Sequence, residues 1–207
     1  MMTNVRKSFP VKSLRMAVAV PALCLSLALS ACFSSVENEW PGISYQAAAP
    51  VSVNAGRIQI TNNYNAPMAP PNVEHMFRLT PSAAAQELAR HQISAAGGGT
   101  RVLRVIVDDA SVRQKVLPKE EGVVGIVKRT PDEQFDARVA LRFELAEQAA
   151  PDVIIGRANV VATRERTLKG DMTLAEREKA YHDLTQTLVN DLAQGISTTV
   201  QNTFGFN

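Results

Sequence analysis

The stretch Phe135-Asp-Ala-Arg-Val-Ala-Leu-Arg-Phe-Glu-Leu145 decides the fold, because an apolar side chain stands at every second position along it. A period of two is typical of a strand that buries one face in a core and turns the other face to water. The stretch therefore predicts an antiparallel sheet that is covered on one side only. Its solvent face is expected to carry Arg138, Arg142 and Glu144.

Strands are also predicted on both sides of this stretch. Residues 100–116 alternate, but the apolar parity changes at Asp108 and Asp109, which indicates a β-bulge. On a regular strand these two carboxylates would point to opposite faces, which is poor geometry for an acid–base pair. A short strand is expected within residues 51–60, with Ile58 and Ile60 on one face. Residues 154–167 form a further strand, whose polar face is expected to carry Arg157, Asn159, Thr163 and Glu165.

Two helices complete the pattern. The first is predicted to begin at Thr80-Pro81, to run through Ala95 and to stop at Gly97-Gly98-Gly99. The second begins at a capping box from Thr173 to Glu176. It continues with an apolar stripe at three- and four-residue steps, formed by Leu174, Tyr181, Leu184, Leu188, Leu192, Ile196 and Val200.

These elements predict an α+β fold, a two-layer sandwich in the order β-α-β-β-β-α. A mainly antiparallel four-stranded sheet is expected to carry both helices on one face. Of 207 residues, 45% are hydrophobic, which argues against wholesale disorder. The 22 basic residues are nearly balanced by 20 acidic residues, which argues against a generic nucleic-acid binder, and no nucleic-acid partner is predicted.

The amino terminus has the pattern of a secretory signal. A basic segment ends at Arg15, and the apolar run 16–29 follows it. This run is too short for a comfortable membrane span, which needs about 20 apolar residues, and Pro21 interrupts it. Leu29-Ser-Ala-Cys32 then resembles the lipobox of bacterial lipoproteins. The alternative is that Cys32 is an ordinary thiol after an ordinary signal peptide.

The resemblance to lipoproteins implies that Cys32 carries diacylglycerol on its sulfur, that cleavage occurs before it, and that a third acyl chain follows. Phe33 stands where an Asp would imply retention in the inner membrane, so outer-membrane sorting, facing the periplasm, is expected. The predicted organisation is a signal peptide at 1–31, an acylated tether at 32–50 and a periplasmic α+β domain at 51–207. Trp40 is expected either at the lipid headgroups or packed on the domain as a strap.

Cleavage would leave 176 residues with 18 basic and 20 acidic side chains and no thiol except the acylated one. The three histidines, at 75, 91 and 182, have no spacing that gathers them, and an exposed ion pair with Glu178 is the ordinary interpretation of His182. The three glycines follow a helix, whereas a phosphate-binding loop follows a strand. No local catalytic motif occurs, so no catalytic residue, metal ligand or cofactor is predicted.

The connection between residues 116 and 131 is the most distinctive loop. A loop of this length in a small domain is often functional, and its apolar tip lies between charged residues. The tip either contacts a partner or lipid headgroups, or packs back on its own sheet. The candidate residues for such contacts are Val123, Val124, Ile126, Val127, Lys128 and Arg129.

With a lipobox cysteine, a tether and this order of elements, the chain resembles two families of small periplasm-facing lipoproteins. One is the lipoprotein partner of the lipopolysaccharide-insertion barrel, and the other comprises the auxiliary lipoproteins of ABC-type lipid transport systems. The resemblance covers residues 51–200 and implies a non-catalytic accessory or scaffold in an envelope protein complex, held on the bilayer by acylated Cys32. The alternative is a lipid- or glycan-handling enzyme or carrier with a pocket between sheet and helices.

Overall fold

The alternating stretch at residues 135–145 lies in a long central strand of the sheet. A computed structural model describes residues 41–97, 99–118 and 132–205 of the chain, and residues from Gly42 onward belong to one structural unit. The described elements are β1 (Val51–Val53), β2 (Arg57–Asn62), α1 (Pro81–Gln92), β3 (Ile93–Ala95), β4 (Arg101–Val116), β5 (Glu133–Glu147), β6 (Ala150–Leu168) and α2 (Leu174–Phe204).

The predicted α+β sandwich is confirmed. The main sheet has the order β2-β4-β5-β6, in which β4, β5 and β6 are antiparallel and β2 runs parallel to β4. The strand expected within 51–60 is in fact two strands, because the extended strand is interrupted between Val53 and Arg57. β1 pairs instead with β3 in a small parallel sheet of its own.

The β-bulge is confirmed at the expected position. Val107 pairs with Leu141 and Asp109 pairs with Ala140, so Asp108 is the extra residue on β4. Because one residue is inserted, the apolar residues on both sides of it face the same core although their parity differs.

The predicted start of α1 is confirmed and its predicted end is wrong. The Thr80 hydroxyl accepts a hydrogen bond from the backbone N–H of Ala83, and Pro81 follows it in the first helical position. The helix ends at Gln92, because Ile93 is already extended and enters β3, where it pairs with Val51 of β1. The glycines therefore follow a short strand and do not cap the helix.

α2 is a helix of 31 residues with the predicted capping box, in which the side chains of Thr173 and Glu176 each bond the other's backbone N–H. It continues through Gly195, and Phe204 is buried at its end. Among the described residues, neither helix is long and apolar enough to cross a membrane.

Apolar side chains occupy the space between the sheet and the helices. Both helices and the core-facing parities of β4, β5 and β6 contribute to one cluster. Close packing of this kind contributes most of the folding free energy of a domain of this size. The largest side chains with less than 2% exposure include Phe135, Phe143, Leu88, Leu103, Leu141, Leu188, Leu192 and Ile196.

Candidate interaction surface

The sheet face that points away from the helices carries a network of charged side chains, which we name the charged face. On β5, Arg138, Arg142 and Glu144 occupy the polar parity, as predicted, and β6 places Arg157 directly opposite Glu144. The bulged segment of β4 adds two carboxylates. The charged face thus consists of Asp108, Asp109, Arg138, Arg142, Glu144 and Arg157.

Arg142 is the centre of this network. Its Nε and Nη2 donate hydrogen bonds of 2.7 and 2.9 Å to the two carboxylate oxygens of Asp108. Its Nη1 donates to Oε1 of Glu144, and Nη2 of Arg157 donates to the same oxygen at 3.0 Å. The bidentate pair of Arg142 and Asp108 fixes the geometry of both side chains more firmly than a single hydrogen bond would.

The bulge explains why both aspartates belong to this face. On a regular strand, Asp108 and Asp109 would point to opposite sides. Here Asp108 bonds Arg142 while Asp109 lies 3.2 Å from Nε of Arg138, and both arginines have the same parity on β5. Each carboxylate has its own guanidinium, so the two aspartates are not arranged to share a proton.

The electrostatics of the charged face suit binding and not proton transfer. The hydrogen bonds from Arg142 lower the pKa of Asp108 below its ordinary value, against the opposing effect of burial. The same contacts raise the pKa of Arg142. Both groups are therefore ionised at neutral pH. The face carries three arginines and three acids, so its charges balance. It can position a partner but does not attract one over long range.

A groove continues the charged face toward the other end of the three long strands. It has a volume of about 610 Å³ and is open to solvent. Its lining mixes both signs of charge, which resembles a docking surface more than a site for a single anion. The lining residues are Asp109, Ser111, Arg113, Asp136, Ala137, Arg138, Thr163, Arg164 and Glu165.

The basic residues at the end of β6 are mostly engaged within the domain. Arg164 donates a 2.6 Å hydrogen bond to Asp191, and Arg166 lies 3.5 Å from Asp183. Both acids are on α2, so these pairs join the edge strand to the helix layer. Arg164 and Arg166 are therefore engaged in intramolecular contacts.

The three histidines lie on different elements. His75 is exposed in a short 3₁₀ turn, Glu74–Met76, and the ring of His91 stacks on Tyr45 with 5.1 Å between the ring centroids. Nδ1 of His182 lies 3.7 Å from the carboxylate of Asp183, so its acidic neighbour is not the expected Glu178. In the described ranges, no group of three or more His, Cys, Asp or Glu side chains could hold a metal ion.

A buried polar cluster beside His75 was not predicted from the sequence. The carboxylate of Glu74, 2% exposed, accepts bonds from the hydroxyl of Tyr64, the amide of Asn72 and the backbone N–H of Val112. These bonds attach the loop after β2 to the edge of β4. The only signal in the sequence is the polar composition of a loop that also contains three prolines.

The segment 42–50, which we name the strap, lies on the helix layer. Ser44 exchanges two hydrogen bonds with the side chain of Gln186, one of 2.8 Å and one of 2.9 Å. The carbonyl of Ala47 accepts a 2.6 Å bond from Gln194, also on α2. The chain therefore enters the domain along the side of the helices. Ile43, Tyr45, Ala47 and Ala48 pack on the core.

Two of the predicted sites lie outside the described residues, and so does Trp40, for which both expected positions stay open. The two sites are the lipidation site Cys32 and the loop candidates Val123, Val124, Ile126, Val127, Lys128 and Arg129. The base of that loop is described: the backbone N–H of Leu117 bonds the carbonyl of Asp132 at 2.9 Å. Both predictions stay predictions.

No protein-family model matches the sequence, and no curated protein matches it. Among solved structures, the chain is similar to a minor lipoprotein from Acinetobacter baumannii, with 11% identity over 75% of this chain and 98% of that chain and a TM-score of 0.40. It is also similar to rare lipoprotein B from Shewanella oneidensis, with 14% identity over 69% and 94% of the two chains and a TM-score of 0.34.

A third similar structure is a protein from Xanthomonas campestris, described by the family model DUF330. It is 10% identical over 76% of this chain and 93% of that chain, with a TM-score of 0.36. Scores and identities in this range carry no functional assignment, so a function has to be argued from the residues of this chain.

Proposed function

We propose that the protein is a lipoprotein, anchored through acylated Cys32, whose domain acts by binding as an accessory or scaffold of a cell-envelope complex. The proposed place is the outer membrane, with the domain facing the periplasm. The proposed role is support of envelope assembly or lipid transport. The observation that carries the proposal is the sequence Leu29-Ser-Ala-Cys32 at the end of an apolar run with basic residues before it.

The physical basis of the anchor is the free energy of burying acyl chains. Each buried CH₂ contributes about 0.8 kcal/mol, and one chain gives only reversible attachment. Two or three chains on the same residue make the attachment effectively permanent. Between Cys32 and the first packed strap residue, Ile43, the chain spans 11 residues, or at most roughly 40 Å when extended. The domain would therefore stay close to the bilayer.

The described domain supports binding in preference to catalysis. Its core is filled with apolar side chains, and the carboxylates of its largest polar network are each paired with an arginine. Asp108 stays ionised at neutral pH, so it is not a general acid there. A rigid face with balanced charges is suited to contact with another protein.

The test is the substitution Cys32→Ala in the full chain, with Cys24→Ala as the matched control. Cells grown with an alkyne-bearing palmitate analogue should label the native protein and the Cys24→Ala variant, because Cys24 lies in the segment expected to be removed. The Cys32→Ala variant should carry no label, keep a higher apparent mass and leave the outer-membrane fraction of a density gradient. A native protein without label, or equal label in both variants, would overturn the proposed anchor.

A further inference from the structure

Strand β6 ends the main sheet with a long edge. It pairs with β5 through residues Ala150–Leu168, and within the described residues no strand pairs with its other side. An edge of this length presents a row of backbone N–H and C=O groups, which can pair with another strand. Proteins usually protect such an edge or use it.

Every second side chain of β6 lies on the sheet face that points away from the helices. Reading along the strand, every second residue gives Arg157, Asn159, Val161, Thr163 and Glu165. Val161 stands at the middle of this set and is 48% exposed, so an apolar side chain faces solvent there. The one cation, Arg157, and the one anion, Glu165, stand four residues from this valine on opposite sides of it.

Antiparallel pairing of β6 with a second β6 about a two-fold axis brings one residue opposite its own copy. If that residue is Val161, Arg157 lies opposite Glu165 of the other copy, and Asn159 lies opposite Thr163. Each of these pairs then occurs twice. Registers centred on Arg157, Arg164 or Glu165 would instead place like charges opposite each other, which is destabilising.

The environments of the two charged residues fit this register. Glu165 lies directly opposite Asp136 within its own sheet, so two carboxylates face each other across β5 and β6. A guanidinium from a second copy would lie on the other side of Glu165 and compensate its charge. Arg157 uses Nε and Nη2 for Glu144, and 56% of its side chain remains exposed. It can therefore accept a second carboxylate partner.

We propose that two copies of this chain pair through β6 in antiparallel register about Val161, which joins their sheets into one of eight strands. The axis is perpendicular to the joined sheet, so both helix layers lie on the same side of it. Both straps lie on those helix layers and are therefore also on one side. That arrangement lets two tethers reach one membrane surface, a consequence that rests on the proposed anchor, whereas the pairing itself does not.

The register is tested by single cysteines in the full chain, expressed in cells and oxidised in isolated membranes. Directly opposite residues on paired strands lie within reach of a disulfide, whereas residues two pairs apart do not. Val161→Cys should therefore give a covalent dimer. Asn159→Cys and Thr163→Cys are the matched controls: neither should crosslink to itself, but the two expressed together should crosslink to each other.

Light scattering of the native full chain in detergent gives an independent answer, because the protein part should have twice the mass of one chain. Glu165→Arg should weaken the dimer roughly tenfold or more, since it places two arginines opposite each other. A monomeric mass, equal crosslinking at all three positions, or a dimer whose stability is unchanged by Glu165→Arg would overturn the proposal. This holds whatever the labelling of Cys32 shows.

Discussion

Glu74 shows how one buried carboxylate holds a loop on the edge of the sheet. Burial raises the pKa of this group, but hydrogen bonds from Tyr64, from the backbone N–H groups of Glu74 and Val112, and from Asn72 lower it more. The pKa of Glu74 therefore lies below its ordinary value, and the ionised form is stabilised in the folded state. Since the unfolded chain gives no such bonds, this carboxylate contributes to stability above the pKa that it has when unfolded.

We expect Glu74→Gln to lower the free energy of unfolding at pH 7 by about 1.5–3 kcal/mol, because bonds to a charged acceptor are lost inside the domain. The pKa of Glu74 is about 4.3 in the unfolded chain and lower in the folded protein. As the pH falls through this range, the native protein loses the stability that the ionised carboxylate contributes. The difference between the two proteins should therefore shrink with acid. Urea unfolding at several pH values measures it.

Glu87→Gln is the control for this experiment, because Glu87 is 45% exposed and pairs with Arg90 one turn away. It should change stability by less than about 0.5 kcal/mol. A stability gap for Glu74→Gln that stays constant from pH 7 to pH 3 would show that the carboxylate charge is not responsible.

The roles of individual residues differ in how well the sequence alone predicts them. The bulge at Asp108 could be predicted, because the apolar residues before and after it occupy positions of opposite parity in the sequence. The role of Glu74 could not, because its partners come from residues 64, 72 and 112, and only the fold brings them together. The pairing of both aspartates on one face follows from the bulge, a step that the regular-strand argument missed.

At the scale of elements, α2 packs closely against β6 at Gly195. A Cβ added to this glycine would lie 2.5 Å from Cγ1 of Val160, which is closer than real carbon atoms come. Valine is stiff about χ1, so its methyl group cannot turn aside at little cost. The glycine thus serves the packing of helix on strand, although it lowers the intrinsic preference for a helix.

Gly195→Ala should lower the free energy of unfolding by up to about 2 kcal/mol. Overpacking of a close contact costs about 1–3 kcal/mol, and the better helix propensity of alanine offsets about 0.8–1 kcal/mol of it. Removing the opposing methyl groups with Val160→Ala makes space for the new Cβ. The double variant should therefore be more stable than the sum of the single effects by about 0.5–3 kcal/mol. Strict additivity in denaturant unfolding would argue against the contact.

The ends of the elements were predictable where the signal is local. Thr80-Pro81 and the Thr173–Glu176 capping box begin the helices as expected, because each cap bonds backbone groups within one turn. The end of α1 was not, because the pairing of β3 with β1 joins Ile93 to Val51, a partner 42 residues away. For the same reason the parallel pairing of β2 with β4 could not be predicted from alternation alone.

At the scale of the whole molecule, the first strand meets the end of the last helix. The backbone N–H of Asn54, next to β1, donates a 3.0 Å bond to the carbonyl of Phe204, and Val53 forms a bridge with Gly205. The ring of Phe204 packs on the backbone of Gly156 in β6. The contact of Phe204 with the first strand depends on the complete fold. One residue thus connects the first strand, the edge strand and the last helix.

We therefore expect Phe204→Ala to act on the domain as a whole. Truncating a buried phenylalanine costs about 3–5 kcal/mol, and Phe204 is 4% exposed. Phe204 lies where the first strand, the edge strand and the last helix meet. The loss of its ring should therefore shift one cooperative unfolding transition and should not create a second one. Thermal unfolding followed by far- and near-ultraviolet circular dichroism measures both. Leu174→Ala, at a leucine that is 72% exposed at the start of α2, should change stability by less than about 0.5 kcal/mol. Local fraying at residues 196–205 with an unchanged midpoint would contradict this closure of the fold.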